Sequence, residues 1–372
     1  MTETRSPGEG ALRPRPLEIG MSVSQFIDRA FLGSAAGRVA SVADLLAREV
    51  YRHPEALVGV SLDAELLSAG LGIGAFAPLL QAGFIDWAVI TGPNLFHDAL
   101  HALGVPFYRT GTVDSASFED CGGGVSLKHA DLPPAEQTLA EIFSGVDFQQ
   151  TMSSAALLDR FGTHLRARGK TLGVEYPGLL TTAHEAGVPI FNSSPGDSPL
   201  GSLLARLGLM GNRLALDGDA DLNEAAAILN SAQSKGIPCA MWCLGRGAAS
   251  AFALGVPRHL RALVGPERAP GYAITIRMAG RVHELPARHC PEIPAQRSSS
   301  APAEEPSSPQ AAGSVRDLAL STDLSMAVPL LTTYLLDRVP ARPSKRLGGK
   351  RSDLLDRLRQ DHSQFVLRRP VG

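Results

Sequence analysis

Residues 56–72 read ALVGVSLDAELLSAGLG. The first five are apolar and mostly branched, the signature of a buried strand. Ser61, Asp63 and Glu65 then gather polar groups at the strand's exit, and a helical stretch follows. A strand turning straight into a helix is half of a βαβ unit. The same grammar recurs outward along the chain. DWAVITG (86–92), GVPIFNSS (187–194), NRLALD (212–217), PCAMWCLG (238–245) and GYAITIRM (271–278) are short and apolar. SAALLDRFGTHLRARG (154–169), LGSLLARLGLM (200–210) and DLNEAAAILNSAQSKG (221–236) have a helical period. Strands that are apolar throughout are covered on both faces, as in parallel sheets. The prediction is an α/β fold with a Rossmann-like, doubly wound, mostly parallel sheet.

Residues 1–20 read as a flexible leader, and 21–338 as a single α/β domain opening on the amphipathic helix MSVSQFIDRAF (21–31). Within it, residues 284–314 are rich in Pro, Ser and Ala. They carry too little apolar surface to offset their ordering entropy and are expected to form a disordered loop. The chain recovers at VRDLALSTDLSMAVPLLTTYLLDR (315–338), with a strand-like start and an apolar helix. Residues 339–372, carrying KRLGGKR and LRR, read as a basic, flexible tail.

Composition excludes several classes. With 372 residues, 44 % of them hydrophobic and 19 % charged, the chain is globular. A net charge of −2 excludes a protein built mainly to neutralise nucleic-acid phosphate, so no nucleic-acid partner is expected. The N-terminus lacks a signal-peptide h-region, and no apolar run approaches the roughly 18 residues a membrane span needs. Four cysteines over this length make no disulfide scaffold. Cys239 and Cys243 sit in an apolar strand with no second pair at zinc spacing, so no metal site is expected. A cytoplasmic setting follows. Of the 35 basic residues only five are lysines: Lys128, Lys170, Lys235, Lys345 and Lys350. Arginine forms no imine, so lysine-dependent chemistry must use one of these five.

In open α/β sheets ligands bind beyond the carboxyl ends of the strands. Ser61 and Glu65 are candidates at the first exit. The second, TGPNLFHDALHAL, offers Thr91 and Gly92, then His97, Asp98 and His101. His97 and His101 are four apart, too few ligands for zinc. A solvated His-rich helix and a substrate-facing role for His97 stand even. At the third exit Asp197 is either an ordinary N-cap or a carboxylate for a ribose hydroxyl. At the fourth, Gly245 and Gly247 leave room for a phosphate or make a purely structural turn. Gly70, Gly72 and Gly74, spaced GxGxG, follow a helical stretch and are discounted.

These turns, in this order, resemble the deoxyhypusine synthase family over about residues 21–336. TGPNLFHD sits where that family has a Thr-Ala/Gly-Gly-x-x-Glu-Glu-Asp turn. LLTTAHEAGVPIFNSSPGDSPLG is similar to its helix, strand and Thr-Asp-Gly-Ser-Leu-Gly turn. LALDGDADL, LGRG and STDLSMAVPLL resemble its Leu-Asp-x-x-x-Asp-Leu, Leu-Gly-Gly-Gly and Asp-Ala-Ser-x-x-x-Pro-Leu segments. The resemblance implies NAD as cofactor and a homotetramer with sites at subunit interfaces. In that chemistry NAD takes a hydride from spermidine, and a lysine captures the aminobutyl group as an imine. The group then passes to a lysine of a translation factor.

Carried over residue by residue, the resemblance implies cofactor contacts for Thr91, Gly92, Asp197, Gly245, Gly247 and Asp323, with Ser61 and Glu65 in the first loop. Glu65 stands where the family has Asn, and Arg246 replaces the middle glycine of its triple-Gly turn. On the polyamine side, Phe96 and His97 replace the paired acids and leave Asp98, so His97 and Asp98 are the substrate-side candidates. Ser202 and Ala251 replace an acid and a histidine. The family's Trp-Gly-Lys motif should fall between Met278 and Val315, where this chain has neither tryptophan nor lysine. Three readings follow: a diverged transferase altered or inactive in aminobutyl transfer, a non-catalytic NAD-binding scaffold or partner of an active paralogue, and an NAD-dependent oxidase of another amine or small substrate. The expected partners are a polyamine-like small molecule and either further copies of the chain or that paralogue.

Overall fold

The computed structural model describes residue 12, residues 14–280 and residues 316–368. Its strands are β1 (Leu57–Leu62), β2 (Trp87–Ile90), β3 (Phe107–Arg109), β4 (Phe118–Asp120), β5 (Val125–Lys128), β6 (Thr151–Met152), β7 (Ile190–Asn192), β8 (Ala215–Leu216), β9 (Cys239–Leu244), β10 (Ile274–Ala279) and β11 (Arg316–Ser321). Six form the central sheet, in the order β11-β10-β9-β1-β2-β7. Every neighbouring pair is parallel. Read from the β7 edge, the chain order of these strands is 3-2-1-4-5-6, that of a doubly wound fold. The α/β sheet expected from sequence is therefore the one the chain forms.

Both faces of the sheet are covered, and the side-chain period of two divides the core. Val58, Val60 and Leu62 of β1 and Ala240, Trp242 and Leu244 of β9 join one apolar cluster. Leu57, Cys239, Met241 and Cys243 join the other. Gly59 lies mid-strand because Trp87 needs its space: a Cβ there would sit 2.6 Å from the indole and 2.7 Å from Met241 Sδ.

The segment after residue 338, expected as a flexible tail, is part of the domain. The helix Arg351–Arg368 lays Leu354 and Leu358 into the second cluster, beside helices Gly218–Gln233 and Ala248–Val264. Its anchor is Asp86, 1 % exposed at the amino end of β2, which pairs with Arg342 at 2.8 Å and Lys345 at 2.9 Å. Arg342 also donates to the carbonyls of Ala56 and Gly83. The basic residues that made the segment read as solvated are the ones that bind it down.

Three further differences have local causes. The expected strand 212–217 contributes only Ala215–Leu216, which pairs with β6 outside the main sheet. Asp217 is drawn off to cap the helix Gly218–Gln233 through Ala220 N–H, at 2.9 Å. An antiparallel sheet β3-β5-β4 was not anticipated, because its strands are three or four residues long and half exposed. Of the leader, residues 12 and 14–20 are exposed, with Glu18 paired to Arg29 at 2.7 Å. The expected loop at 284–314 lies outside the described residues.

Removing one partner of a buried ion cluster leaves uncompensated charge and costs about 3–5 kcal/mol. Asp86→Ala is expected to lower stability by that amount in urea unfolding and to release residues 339–368 to limited proteolysis before the remainder.

Candidate functional site

The winding of the sheet reverses between β1 and β9, and their carboxyl ends open the crevice where doubly wound folds bind ligands. The turn Gly245–Arg246–Gly247 leads there into the helix Ala248–Val264. Asp63, leaving β1, reaches across and caps that helix. Its Oδ1 accepts from Ala249 N–H at 2.8 Å, and its Oδ2 from Ser250 N–H at 3.0 Å and the Ser250 hydroxyl at 2.5 Å. Ser61, fully buried, contacts the Ser250 hydroxyl at 3.1 Å.

Three cavities run along this edge. The first, about 590 Å³, lies beyond β9, β10 and β11 and includes Gly245, Arg246, Gly247, Arg277, Gly280 and Ser321. Arg277 is held by Asp317 on the neighbouring strand at 2.9 Å. The second, about 840 Å³, shares Gly280 and Ser321 with the first and adds Arg38, Glu65 and Asp323. The third, about 580 Å³, shares Glu65 with the second and adds His97, Glu119, Asp120, Cys121 and Glu136. Glu65 is therefore the wall shared by the second and third cavities.

The third cavity is acidic by construction. Gly122, Gly123 and Gly124 all have positive φ, which glycine adopts without strain, and they fold the β4–β5 turn back onto Glu65. A Cβ on Gly122 would collide with the Glu65 carboxylate. Glu119 and Asp120 arrive from β4, and Glu136 is neutralised by Arg206 at 2.7 Å. The local field shows in Cys121, whose thiol is pushed up to about 11 by burial first and then by Glu119, Asp120 and Glu65. The wall is completed by His97, 9 % exposed, its Nδ1 buried without a hydrogen-bond partner. Burial, then His101, lowers its pKa to about 4, so the ring is neutral near pH 7.

The residues singled out from sequence fall in different places. Glu65, Gly245, Arg246, Gly247 and Asp323 line the cleft, whereas Ser61 is fully buried beneath it against Ser250. The helix Gly92–Ala102, weighed as solvated, is buried nearly all round. Asp98 does not face the cleft. It is 1 % exposed, and its two oxygens accept from Leu179 N–H and Leu180 N–H, each at 2.8 Å. Gly92 is small because Ser194 and Ser198 pack on it, a Cβ falling 2.6 Å from each. Thr91 accepts from Asn94 Nδ2 at 3.0 Å. Asp197 is exposed, and the cap of the following helix is Ser198, through Gly201 N–H at 3.1 Å. Asp323 caps the helix Leu324–Arg338 through Ser325 N–H at 2.8 Å. Sequence reasoning placed Asp63 only among the polar groups at the first strand's exit, and it missed Asn94, Glu119 and Asp120. Asn94 ties down the first loop, bonding Ala64 O at 3.0 Å and Leu67 N–H at 3.2 Å.

Fold and cleft define a doubly wound α/β protein with a candidate ligand-binding edge at the β1/β9 switch point. The sequence pattern of the deoxyhypusine synthase family matches residues 24–280. The chain is 32 % identical over 362 residues to the deoxyhypusine synthase-like protein of Nostoc punctiforme, covering 94 % of this chain and 89 % of that protein. It is 30 % identical over 231 residues to the probable deoxyhypusine synthase 1 of Methanosarcina acetivorans, covering 58 % of this chain and 66 % of that one. The crystal structure of a candidate deoxyhypusine synthase from Entamoeba histolytica superposes with a TM-score of 0.56 at 11 % identity, covering 90 % of this chain and 98 % of that one, a likeness of fold. The chain belongs to the deoxyhypusine synthase family.

Burying His97 as a neutral ring contributes stability that is fully present above pH 6.5. As pH falls towards about 4 the unfolded chain takes up the proton first, and that stability is lost. Asp98, raised to about 6 by burial, acts in the opposite sense over an overlapping range, so the test is a difference. The stability difference between wild type and His97→Gln is expected to shrink as pH falls from 6.5 to 4. Unfolding midpoints across that range check it, and a constant difference refutes a neutral buried ring.

Proposed function

We propose that the chain is a diverged member of its family that binds a cationic amine in the acid-lined cavity and carries no aminobutyl group on a lysine of its own. One observation carries the second half: none of the five lysines lines any of the three cavities. Lys128, Lys170, Lys235 and Lys350 are exposed. Lys345 is bound to Asp86 at the amino edge of the sheet, opposite the cleft. Residues 281–315, where the family resemblance expects the lysine, contain none. Without a deprotonatable amine at the reacting carbon, an imine to this chain cannot form.

The acids support the first half. The family's paired acids are lost at Phe96 and His97. Glu65, Glu119 and Asp120 bring carboxylates to the same cavity from the first loop and from β4. Among the described residues no three His, Cys, Asp or Glu side chains gather as a metal site would need. Carboxylates spread along a cavity suit ammonium groups spaced along a flexible chain better than a point cation. A neutral imidazole with an unpartnered Nδ1 adds a group that can share a hydrogen bond with such a ligand.

Two measurements test this. Spermidine is expected to raise the melting temperature, since a ligand of the folded state stabilises it, and Glu119→Gln is expected to reduce the shift severalfold. Borohydride treatment with spermidine and NAD present is expected to leave the protein mass unchanged. A trapped adduct refutes the loss of imine chemistry; absence of any polyamine shift refutes the amine site.

A further inference from the structure

The nucleotide that family membership implies must be set against the switch-point turn. The start of a helix offers free N–H groups and its positive dipole end to a phosphate. In this chain two of the three free N–H groups at the start of the helix Ala248–Val264 are already used. Asp63 accepts from Ala249 N–H and Ser250 N–H at 2.8 and 3.0 Å and from the Ser250 hydroxyl. The glycines of the turn are accounted for by the same carboxylate. A Cβ on Gly247 would lie 2.6 Å from Asp63 Oδ1, and one on Gly245 would lie 2.7 Å from Asp63 Cβ and 2.8 Å from Ala64 N. The room that a phosphate needs is filled by a side chain of like charge, which also neutralises the dipole that would attract it. Of the two arginines beside the turn, Arg277 is engaged by Asp317, leaving Arg246 as the counter-charge.

We propose that Asp63 is a built-in anion plug: it closes the start of the helix Ala248–Val264 to phosphate, so a dinucleotide does not lay its pyrophosphate on the turn Gly245–Gly247. The residues present do not fit a pyrophosphate at this position, and the crevice selects neutral or cationic groups. Replacing the carboxylate by its amide keeps an oxygen to cap the helix, removes the repelling charge and supplies an N–H that a phosphate can accept.

The experiment is calorimetric titration of the full chain with adenosine, ADP and NAD, for wild type and Asp63→Asn. In wild type, ADP and NAD are expected to bind no more than threefold tighter than adenosine, or all three to give no heat at millimolar concentration. In Asp63→Asn, ADP is expected to gain at least tenfold with adenosine unchanged. A wild type that binds ADP or NAD tenfold or more above adenosine overturns the proposal. So does a folded Asp63→Asn protein with no gain for ADP. Should that variant fail to fold, the wild-type ratio of ADP to adenosine decides alone. Spermidine shifts at Glu119 are read separately, so the plug and the amine site fail independently.

Discussion

A parallel sheet has no face to leave in water, and the placement of everything else follows from that constraint. All six residues of β1 and all six of β9 are buried, so each face needs its own cover. One face is closed by the helices around β1 and β2. The other needs the helix Arg351–Arg368, which comes from far along the chain and is strongly polar on its outer side. An apolar stripe of Leu347, Leu354 and Leu358 is a thin grip for such a segment. The Asp86 cluster adds to it, holding Arg342 with 6 % of its side chain exposed, and Asp361 of the helix accepts from Asn230 at 2.8 Å and pairs with Arg268 at 2.7 Å. The sheet's amino edge thereby becomes the fixed end of the molecule, and its carboxyl edge is left open for cavities.

That open edge is organised by one device used repeatedly, a carboxylate, buried or half-buried, capping a helix distant in sequence. Asp63 caps the helix Ala248–Val264, Asp98 the helix Leu179–Ala186, and Asp221 the helix Ser154–Leu172 through Ser154 N–H at 2.7 Å. Burial raises Asp98 to about 6 and Asp221 to about 7, against the amide hydrogen bonds that favour the charged form. Each cap satisfies orphan N–H groups and ties two elements together. Each also removes an acid from those a ligand can meet. The acids left to the cleft are Glu65, Glu119, Asp120 and Asp323, together with exposed Asp197, and most of the negative side gathers at the third cavity.

This explains which parts were legible in the sequence. The central strands could be read because apolar runs such as PCAMWCLG report burial directly, and burial on both faces implies a parallel sheet. The helix at 21–31 was legible for the same local reason; it forms over Val23–Ala30, capped by Ser22. A cap spanning 81 residues, as from Asp98 to Leu179, leaves no local trace. In sequence, Asp98 is only an acid following a strand, indistinguishable from one that meets substrate. Glu119 and Asp120 escaped notice because their strand is three residues long and carries no apolar run. The segment after 338 misled because basic residues usually mark solvated chain, and its apolar stripe is spaced too sparsely to outweigh them. Charge is read correctly from sequence; its partner is not.

The lysine question turns on this difference between a charge and its partner. Lys345 has the burial that a nucleophilic lysine needs: desolvation lowers its ammonium pKa, the usual route to a neutral, attacking amine. Asp86 opposes that shift from 2.9 Å, and the ammonium also donates to Ala56 O at 2.9 Å. Burial still holds its pKa below the ordinary lysine value, but two of its three ammonium hydrogens are occupied. It also stands at the amino edge of a parallel sheet, where the strands present no ligand crevice. The chain thus keeps a buried lysine but uses it to hold the fold closed, while the cleft keeps acids and a neutral imidazole with no amine to attack. That asymmetry, built into opposite edges of one sheet, is the ground for proposing that the chain binds an amine without forming an imine to it.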